Sequence, residues 1–266
     1  MRGSRPGFRS PAGVGVNAPL VVEEYGDRIV LRLNRPEVRN AIDLATVEAL
    51  HDACSGLEQK PRVAIIIGSG GTFAAGADIV QLRERRRADA LAGINSGIFD
   101  RIHKLPMPVI ALIDGYALGG GAELAYACDF RIGTPSTKIG NPEPGLGILA
   151  AAGASWRLRE LVGEPLAKEV LLAGKVLSAD EAHQVRLLND VVEPDQLEIA
   201  GHQLADKIAA QAPLAVRLTK SVFHSPREAH PLIDDVAQAV LFETQDKYDR
   251  MTSFLDRRRD KTQEKR

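Results

Sequence analysis

Two short runs of unbroken apolar residues, 63–67 (Val-Ala-Ile-Ile-Ile) and 109–113 (Val-Ile-Ala-Leu-Ile), constrain this chain most. Neither alternates with polar residues, so a strand formed from either has no face to give to water. That pattern belongs to strands covered on both sides, which are normally parallel strands sandwiched between helices or other layers. The segments around them fit. Residues 20–25 and 29–33 are rich in β-formers and meet at Gly26-Asp27, which predicts a hairpin. Leu44, Val47, Leu50, Cys54 and Leu57 recur at helical spacing behind Asp43, a suitable N-cap. A polar helix is expected through 83–87, growing more apolar towards Ile102, until Pro106 and Pro108 stop it before the second apolar run. A further helix is expected from Gly120 to about Cys128, and a strand at 130–132. Strand, loop and helix in repeated order predict an α/β architecture with parallel elements.

From about Pro194 the pattern changes to helices alone. Leu197, Leu204 and Ile208 mark one, Leu214, Leu218 and Val222 a second, and Val236, Val240 and Phe242 a third leading towards 251–255. The expected organisation is a tail over 1–19, a core over 20–199 and a helical module over 200–266. That module has too little core to stand alone and should pack on its own core or on a neighbouring subunit.

Composition excludes several functions. The formal net charge is −1, with 26% charged residues, so no global field draws the chain to nucleic acid. The two cysteines, Cys54 and Cys128, sit in helical apolar patterns and read as buried thiols of a reducing compartment. No Cys or His pair has the spacing of a metal site, and no metal is expected. No apolar run reaches the length needed to span a bilayer. The first 19 residues carry Arg2, Arg5 and Arg9 and no acid, which leaves two readings, a plain tail with Met1-Arg2-Gly3-Ser4 as an added leader, or a transit peptide. The expected location is the cytoplasm, or the mitochondrial matrix if that segment is a transit peptide.

Chemistry concentrates in three places. Gly119-Gly120-Gly121 stands before a helix and can turn backbone N–H groups towards a phosphate or an oxyanion, or can simply punctuate a turn. No Lys-Ser/Thr pair follows it, so it is not a P-loop, and Gly68-Ser69-Gly70-Gly71 does not complete a dinucleotide fingerprint. Glu123 lies one turn after Gly120, either beside the same mouth or as an ordinary acid at a helix start. Glu143, in Asn141-Pro142-Glu143-Pro144-Gly145, is stiffened by prolines and serves no helical face, so it is a solvated loop residue or a positioned group. Donors for a developing oxyanion, with two carboxylates to move protons, would supply both halves of one reaction.

These residues also carry a family resemblance. Phe73-Ala74-Ala75-Gly76-Ala77-Asp78-Ile79, the stretch from Asp114-Gly115-Tyr116 through Gly119-Gly120-Gly121-Ala122-Glu123 to Cys128-Asp129, and Gly140-Asn141-Pro142-Glu143 resemble the crotonase superfamily, and within it the enoyl-CoA hydratases. The likeness runs from Asn34-Arg35-Pro36-Glu37-Val38-Arg39-Asn40-Ala41 to the C-terminal helices. It implies a crotonase-like spiral of ββα units followed by a helical oligomerisation module, assembled as trimers or dimers of trimers. It implies an oxyanion hole from the backbone N–H groups of Ala77 and Gly120, and a reacting water held by Glu123 and Glu143. Glu143 is expected to be the main acid/base towards C2 and Glu123 the partner that orients water. Arg39, Ala41, Ala75, Asp78, Ile79 and Lys220 are implied in CoA binding. Arg39 reads equally as a solvated cation.

The implied reaction adds water to a trans-2-enoyl-CoA, with the CoA thioester as substrate and no separate cofactor. A double-bond isomerase, which needs one carboxylate and holds no water, is the near alternative, and another CoA-thioester reaction is a further one. A nucleic-acid-binding module of the same fold is the alternative from another class, opposed by the net charge and by the pair of glutamates. The pattern departs from the family at Pro144, at Ala150-Ala151, where proline and glycine are usual, and at Trp156. Those departures bear on the substrate and on the position of Glu143. The Arg83–Arg87 stretch and Arg257-Arg258-Arg259 read as solvated charged faces.

Overall fold

The computed structural model of the chain describes residues 18–263, with side chains to 259, so the expected tail falls almost wholly outside the described residues. The two apolar runs form adjacent central strands. Strands β1 (Leu20–Glu24), β2 (Arg28–Leu33), β3 (Val63–Gly68), β4 (Val109–Ile113), β6 (Phe130–Gly133) and β9 (Asp190–Val191) make one six-stranded sheet in the order β1-β2-β3-β4-β6-β9. β1 and β2 are the expected hairpin, antiparallel with Leu20 opposite Leu33 and Glu24 opposite Ile29. Every later pairing is parallel, and β3 meets β4 with Ala64 opposite Val109 and Ile67 opposite Leu112. All of β4 and nearly all of β3 are buried, as strands without a polar face must be.

A second sheet of three short strands, β5 (Tyr116–Leu118), β7 (Lys138–Gly140) and β8 (Val176–Ser178), runs in the order β5-β7-β8. Three residues are too few to print an alternating pattern, and the sequence reading does not anticipate this sheet. It positions the site, because β5 delivers the chain to the glycine run and β7 delivers it to Glu143.

Helix α1 (Leu44–Gln59) starts at Asp43, whose carboxylate accepts the Thr46 N–H, and turns Val47, Leu50, Cys54 and Leu57 inward. The single helix expected through 83–102 is three pieces, α2 (Ile79–Glu84), α3 (Arg87–Leu91) and α4 (Ile94–His103). Arg85 ends α2 in an extended conformation, and Gly93, with φ 64°, supplies the left-handed turn before α4. The arginine run is good helix-forming sequence, and the chain folds away from it all the same. After α5 (Gly120–Ala127) come α6 (Ala154–Val162), α7 (Glu164–Ala173) and α8 (Ala179–Gln184). The C-terminal region holds α9 (Leu197–Ala209), α10 (Pro213–Phe223), α11 (Leu232–Phe242) and α12 (Gln245–Gln263).

The chain divides into two compact units between Asp206 and Lys207, a little beyond the expected boundary at 200. The first unit contains both sheets and the buried core. The second is helical, and many of its apolar side chains, among them Phe223, Val236, Val240, Met251, Phe254 and Leu255, are exposed. No helix among the described residues is long and apolar enough to cross a membrane.

Candidate functional site

Gly119 links β5 to α5 with φ 52° and ψ −123°, a conformation that side chains other than glycine resist. A Cβ there would also meet the Glu143 Oε1 at 3.0 Å. The turn therefore carries the chain into α5 directly beneath a carboxylate. Gly120 opens the helix, so its N–H has no partner within the helix.

The facing segment, 73–78, is pinned on both sides by backbone bonds. Ala74 N–H donates to the Tyr116 carbonyl and Leu118 N–H to the Ala74 carbonyl. Gly76 C=O accepts from the Ile42 N–H, and the Asp78 N–H donates to the Ile42 carbonyl. Because the neighbours of Ala77 bond Ile42, the N–H of Ala77 itself points the other way. It lies 3.4 Å from the point where a side chain on Gly120 would begin. Ala77 therefore lies against the start of α5, and Ala77 and Gly120 line the same cavity.

Both carboxylates line the same cavity, which has a volume of about 150 Å³. Glu123 is 3% exposed, and its Oε1 accepts from the Ala152 N–H at 2.7 Å and the Ala154 N–H at 3.1 Å. Burial pushes its carboxyl up to about 7, and the nearby Glu143 adds to the shift, while the two N–H donors and Arg157 oppose it. Glu143 opens a 3₁₀ turn and is 8% exposed. Its Oε1 faces the Asn141 amide at 3.4 Å, and its Oε2 is buried with no partner among the described residues. Burial raises its carboxyl too. Asn141 is fully buried and oriented in turn by the Tyr126 hydroxyl, which donates to Asn141 Oδ1 at 3.1 Å. Two carboxyls both held above their ordinary range can divide the work of acid and base between them.

The sign of the Glu123 shift gives a stability test. A carboxyl raised in the folded state keeps its proton while the unfolded chain ionises, so folding loses stability as pH climbs from about 4.5 through about 7. Glu123→Gln can still accept both N–H groups and escapes that cost. Its thermal stability relative to the parent should improve from pH 5 to pH 8, by up to about 3 kcal/mol. Paired unfolding curves at the two pH values measure it. An advantage that shrinks as pH rises would contradict the shift.

The remaining residues singled out in the sequence fall in different places. Ala75 and Ile79 line the cavity with Ala77 and Gly120. Arg39 is exposed and is outside the lining, though its carbonyl accepts the Ala75 N–H at 3.0 Å. Ala41 is half-buried, with its carbonyl taken by Arg35. The Asp78 carboxylate caps α2 through the Val80 and Gln81 N–H groups and pairs with Arg35 at 3.4 Å, which is a structural duty. Lys220 lies on α10 in the second unit. Of the departures from the family pattern, Ala151 lines the cavity, Ala150 is buried and Trp156 is 44% exposed and outside the lining.

Sequence reasoning passed over Asn141, Tyr126, Arg85, Asn95 and Arg157. Arg85 and Asn95 line the cavity, and the Arg85 guanidinium donates to Asn95 Oδ1 at 2.9 Å. Arg157 is almost fully buried near Glu123 and pairs with Asp100 at 3.2 Å. An inward arginine inside an arginine-rich stretch carries no signal in charge alone. An arginine amid the otherwise apolar face of α6 could have been noticed.

Comparison with known proteins agrees with this geometry. A family model described as enoyl-CoA hydratase/isomerase matches residues 24–265. The chain is 36% identical over 249 residues to a crotonyl-CoA hydratase of Syntrophomonas wolfei, covering 90% of this chain and 96% of that one. It is 34% identical over 254 residues to a short-chain-enoyl-CoA hydratase of Clostridium acetobutylicum, covering 90% and 95%. Its fold superposes on the crystal structure of an enoyl-CoA hydratase from Bacillus anthracis with a TM-score of 0.85 at 32% identity, over 90% of this chain and 96% of that chain.

Proposed function

Since this chain belongs to the enoyl-CoA hydratase/isomerase family and has the crotonase fold, we propose that it reversibly hydrates a trans-2-enoyl-CoA to a 3-hydroxyacyl-CoA. The observation that carries this reading is the shared cavity of Glu123 and Glu143 beside the N–H groups of Ala77 and Gly120. The thioester carbonyl accepts from Ala77 and Gly120. A water between the two side chains adds its oxygen to C3 and gives up a proton to Glu123, which is ionised while Glu143 is protonated. As that C–O bond forms, the C2=C3 π electrons move onto the thioester, and the oxygen becomes the enolate that the two donors hold. Glu143, as a carboxylic acid, then delivers a proton to C2 and the thioester carbonyl re-forms. Water is consumed, and a proton passing from Glu123 back to Glu143 restores the starting state.

In this assignment Glu143 works at C2, because its Oε2 is buried with no partner among the described residues. Glu123 orients the water, because one of its oxygens is already committed to Ala152 and Ala154. Ala75 and Ile79 flank the thioester, with Arg39, Ala41 and the backbone of Asp78 assigned to CoA. Loss of the conjugated enoyl-thioester absorbance with a panel of 2-enoyl-CoAs tests the reading. Saturable loss supports it. A protein that leaves every 2-enoyl-CoA untouched but converts a 3-enoyl-CoA is an isomerase instead.

The proposal extends to self-association as a trimer or a dimer of trimers through the second unit, where exposed apolar residues such as Phe254 and Leu255 would be covered. Sedimentation should give three or six times 28.7 kDa, and a monomer mass would reject it. The buried thiols of Cys54 and Cys128 suit a reducing compartment such as the cytoplasm.

A further inference from the structure

The acyl end of the cavity is mixed in character. Ile79, Leu82, Leu146, Ile148 and Leu149 form an apolar wall, and Arg85 and Asn95 interrupt it. Arg85 is set apart from its neighbours. Arg83 pairs with Glu84, and Arg86 and Arg87 are exposed. Arg85 terminates α2 with ψ 143°, is half-buried, and reaches the neutral amide of Asn95. No carboxylate among the described residues pairs with it. Its two cavity neighbours that could do so, Glu123 and Glu143, are themselves held towards their protonated forms by burial.

A guanidinium carries five N–H donors in a planar fork, and a single bond to an amide oxygen leaves most of them for a ligand. A purely hydrocarbon acyl chain would strip water from this pair and return no hydrogen bond, an unfavourable exchange. Resting on the hydratase reading above, we infer that the site takes 2-enoyl-CoAs whose acyl chain bears a carboxylate, received by Arg85 and oriented by Asn95. The carboxylate accepts from the guanidinium fork as a bidentate partner, and the Asn95 amide N–H₂ adds a donor beside it.

Position selects the acyl group rather than CoA as the source of the anion. Asn95 Nδ2 lies 3.7 Å from where a side chain on Gly120 would begin, so the polar pair adjoins the thioester site. The cavity, at about 150 Å³, has room for a short chain. The phosphates of CoA lie at the opposite end of the pantetheine arm from the thioester carbon.

The test compares hex-2-enoyl-CoA with hex-2-enedioyl-CoA, equal in length and different only at the distal carbon. The parent should favour the diacid thioester in kcat/KM by about tenfold or more, mainly through KM. Arg85→Met should invert that ratio, and Arg85→Lys should restore part of it. A parent with no preference, or an Arg85→Met variant with the parent's ratio, overturns the inference. Calorimetry with saturated hexanoyl-CoA, hexanedioyl-CoA and free CoA covers the case in which neither enoyl thioester is hydrated. That result rejects the hydratase reading, while tighter binding of hexanedioyl-CoA that Arg85→Met abolishes would still uphold the carboxylate pocket. If Arg85→Met weakens free CoA as much as hexanedioyl-CoA, Arg85 serves the CoA phosphates and the inference fails.

Discussion

Glu143→Gln is expected to lower the turnover of 2-enoyl-CoA hydration by about 10²–10⁴-fold, the range for loss of a positioned acid/base, with acyl-CoA affinity changed little. The substitution is isosteric, and its surroundings are built to tolerate it. The glutamine oxygen can keep the contact with the Asn141 amide, leaving its own amide where the buried Oε2 stands. The fold around it, set by Pro142 and Pro144 and by the Tyr126–Asn141 bond, has no stake in the charge. What disappears is a titratable proton at a buried carboxylate oxygen that has no partner among the described residues. Initial rates from the enoyl-thioester absorbance, with calorimetry on a saturated acyl-CoA, separate chemistry from binding. A variant within about threefold of the parent rate would end the role assigned to Glu143. Equal loss of affinity would recast it as a substrate-binding residue.

Much of the frame was legible because burial writes itself into composition. β3 and β4 are read from their apolar runs, since a strand covered on both faces has no place for a polar side chain. Asp43 is read as a cap, and it is one. The small sheet was not legible. Tyr116–Leu118, Lys138–Gly140 and Val176–Ser178 are held by long-range pairing, which no local pattern records. The break at Arg85 was hidden for another reason. Helix propensity there is high, and only the tertiary placement of α2 and α4 overrides it.

The site was legible where side chains do the work and illegible where the backbone does. Glu123 and Glu143 stand out by type and setting. The groups that seat Glu123 are the N–H groups of Ala152 and Ala154, which any residue but proline could supply. This explains why Ala150-Ala151, unusual in place of proline and glycine, leave the carboxylate well seated. The sequence change alters the wall of the cavity more than the machinery. Arg85 and Asn95 come together across ten residues and a helix break, a pairing that spacing alone cannot announce.

Gly121→Ala is expected to lower kcat by about 10²-fold, because the proposed oxyanion donors, the N–H groups of Ala77 and Gly120, are backbone atoms whose spacing this glycine sets. A Cβ on Gly121 would lie 2.1 Å from the Ala74 carbonyl oxygen, 2.8 Å from its carbon and 2.9 Å from the Ala74 side chain. Those are backbone or backbone-fixed atoms, so no rotamer relieves the clash. Ala74 is tied to Tyr116 and Leu118 by its own N–H and C=O, so α5 must retreat from the 73–78 segment. Retreat separates Gly120 from Ala77 and slackens both donors at once, which weakens the enolate more than the ground-state thioester. Overpacking should also cost about 1–3 kcal/mol of stability, so the assay belongs well below the variant's own Tm. Affinity for a saturated acyl-CoA should fall far less than kcat. A soluble, folded Gly121→Ala enzyme with parental turnover would mean that the segments do not need this approach, and that the hole is not formed by Ala77 and Gly120.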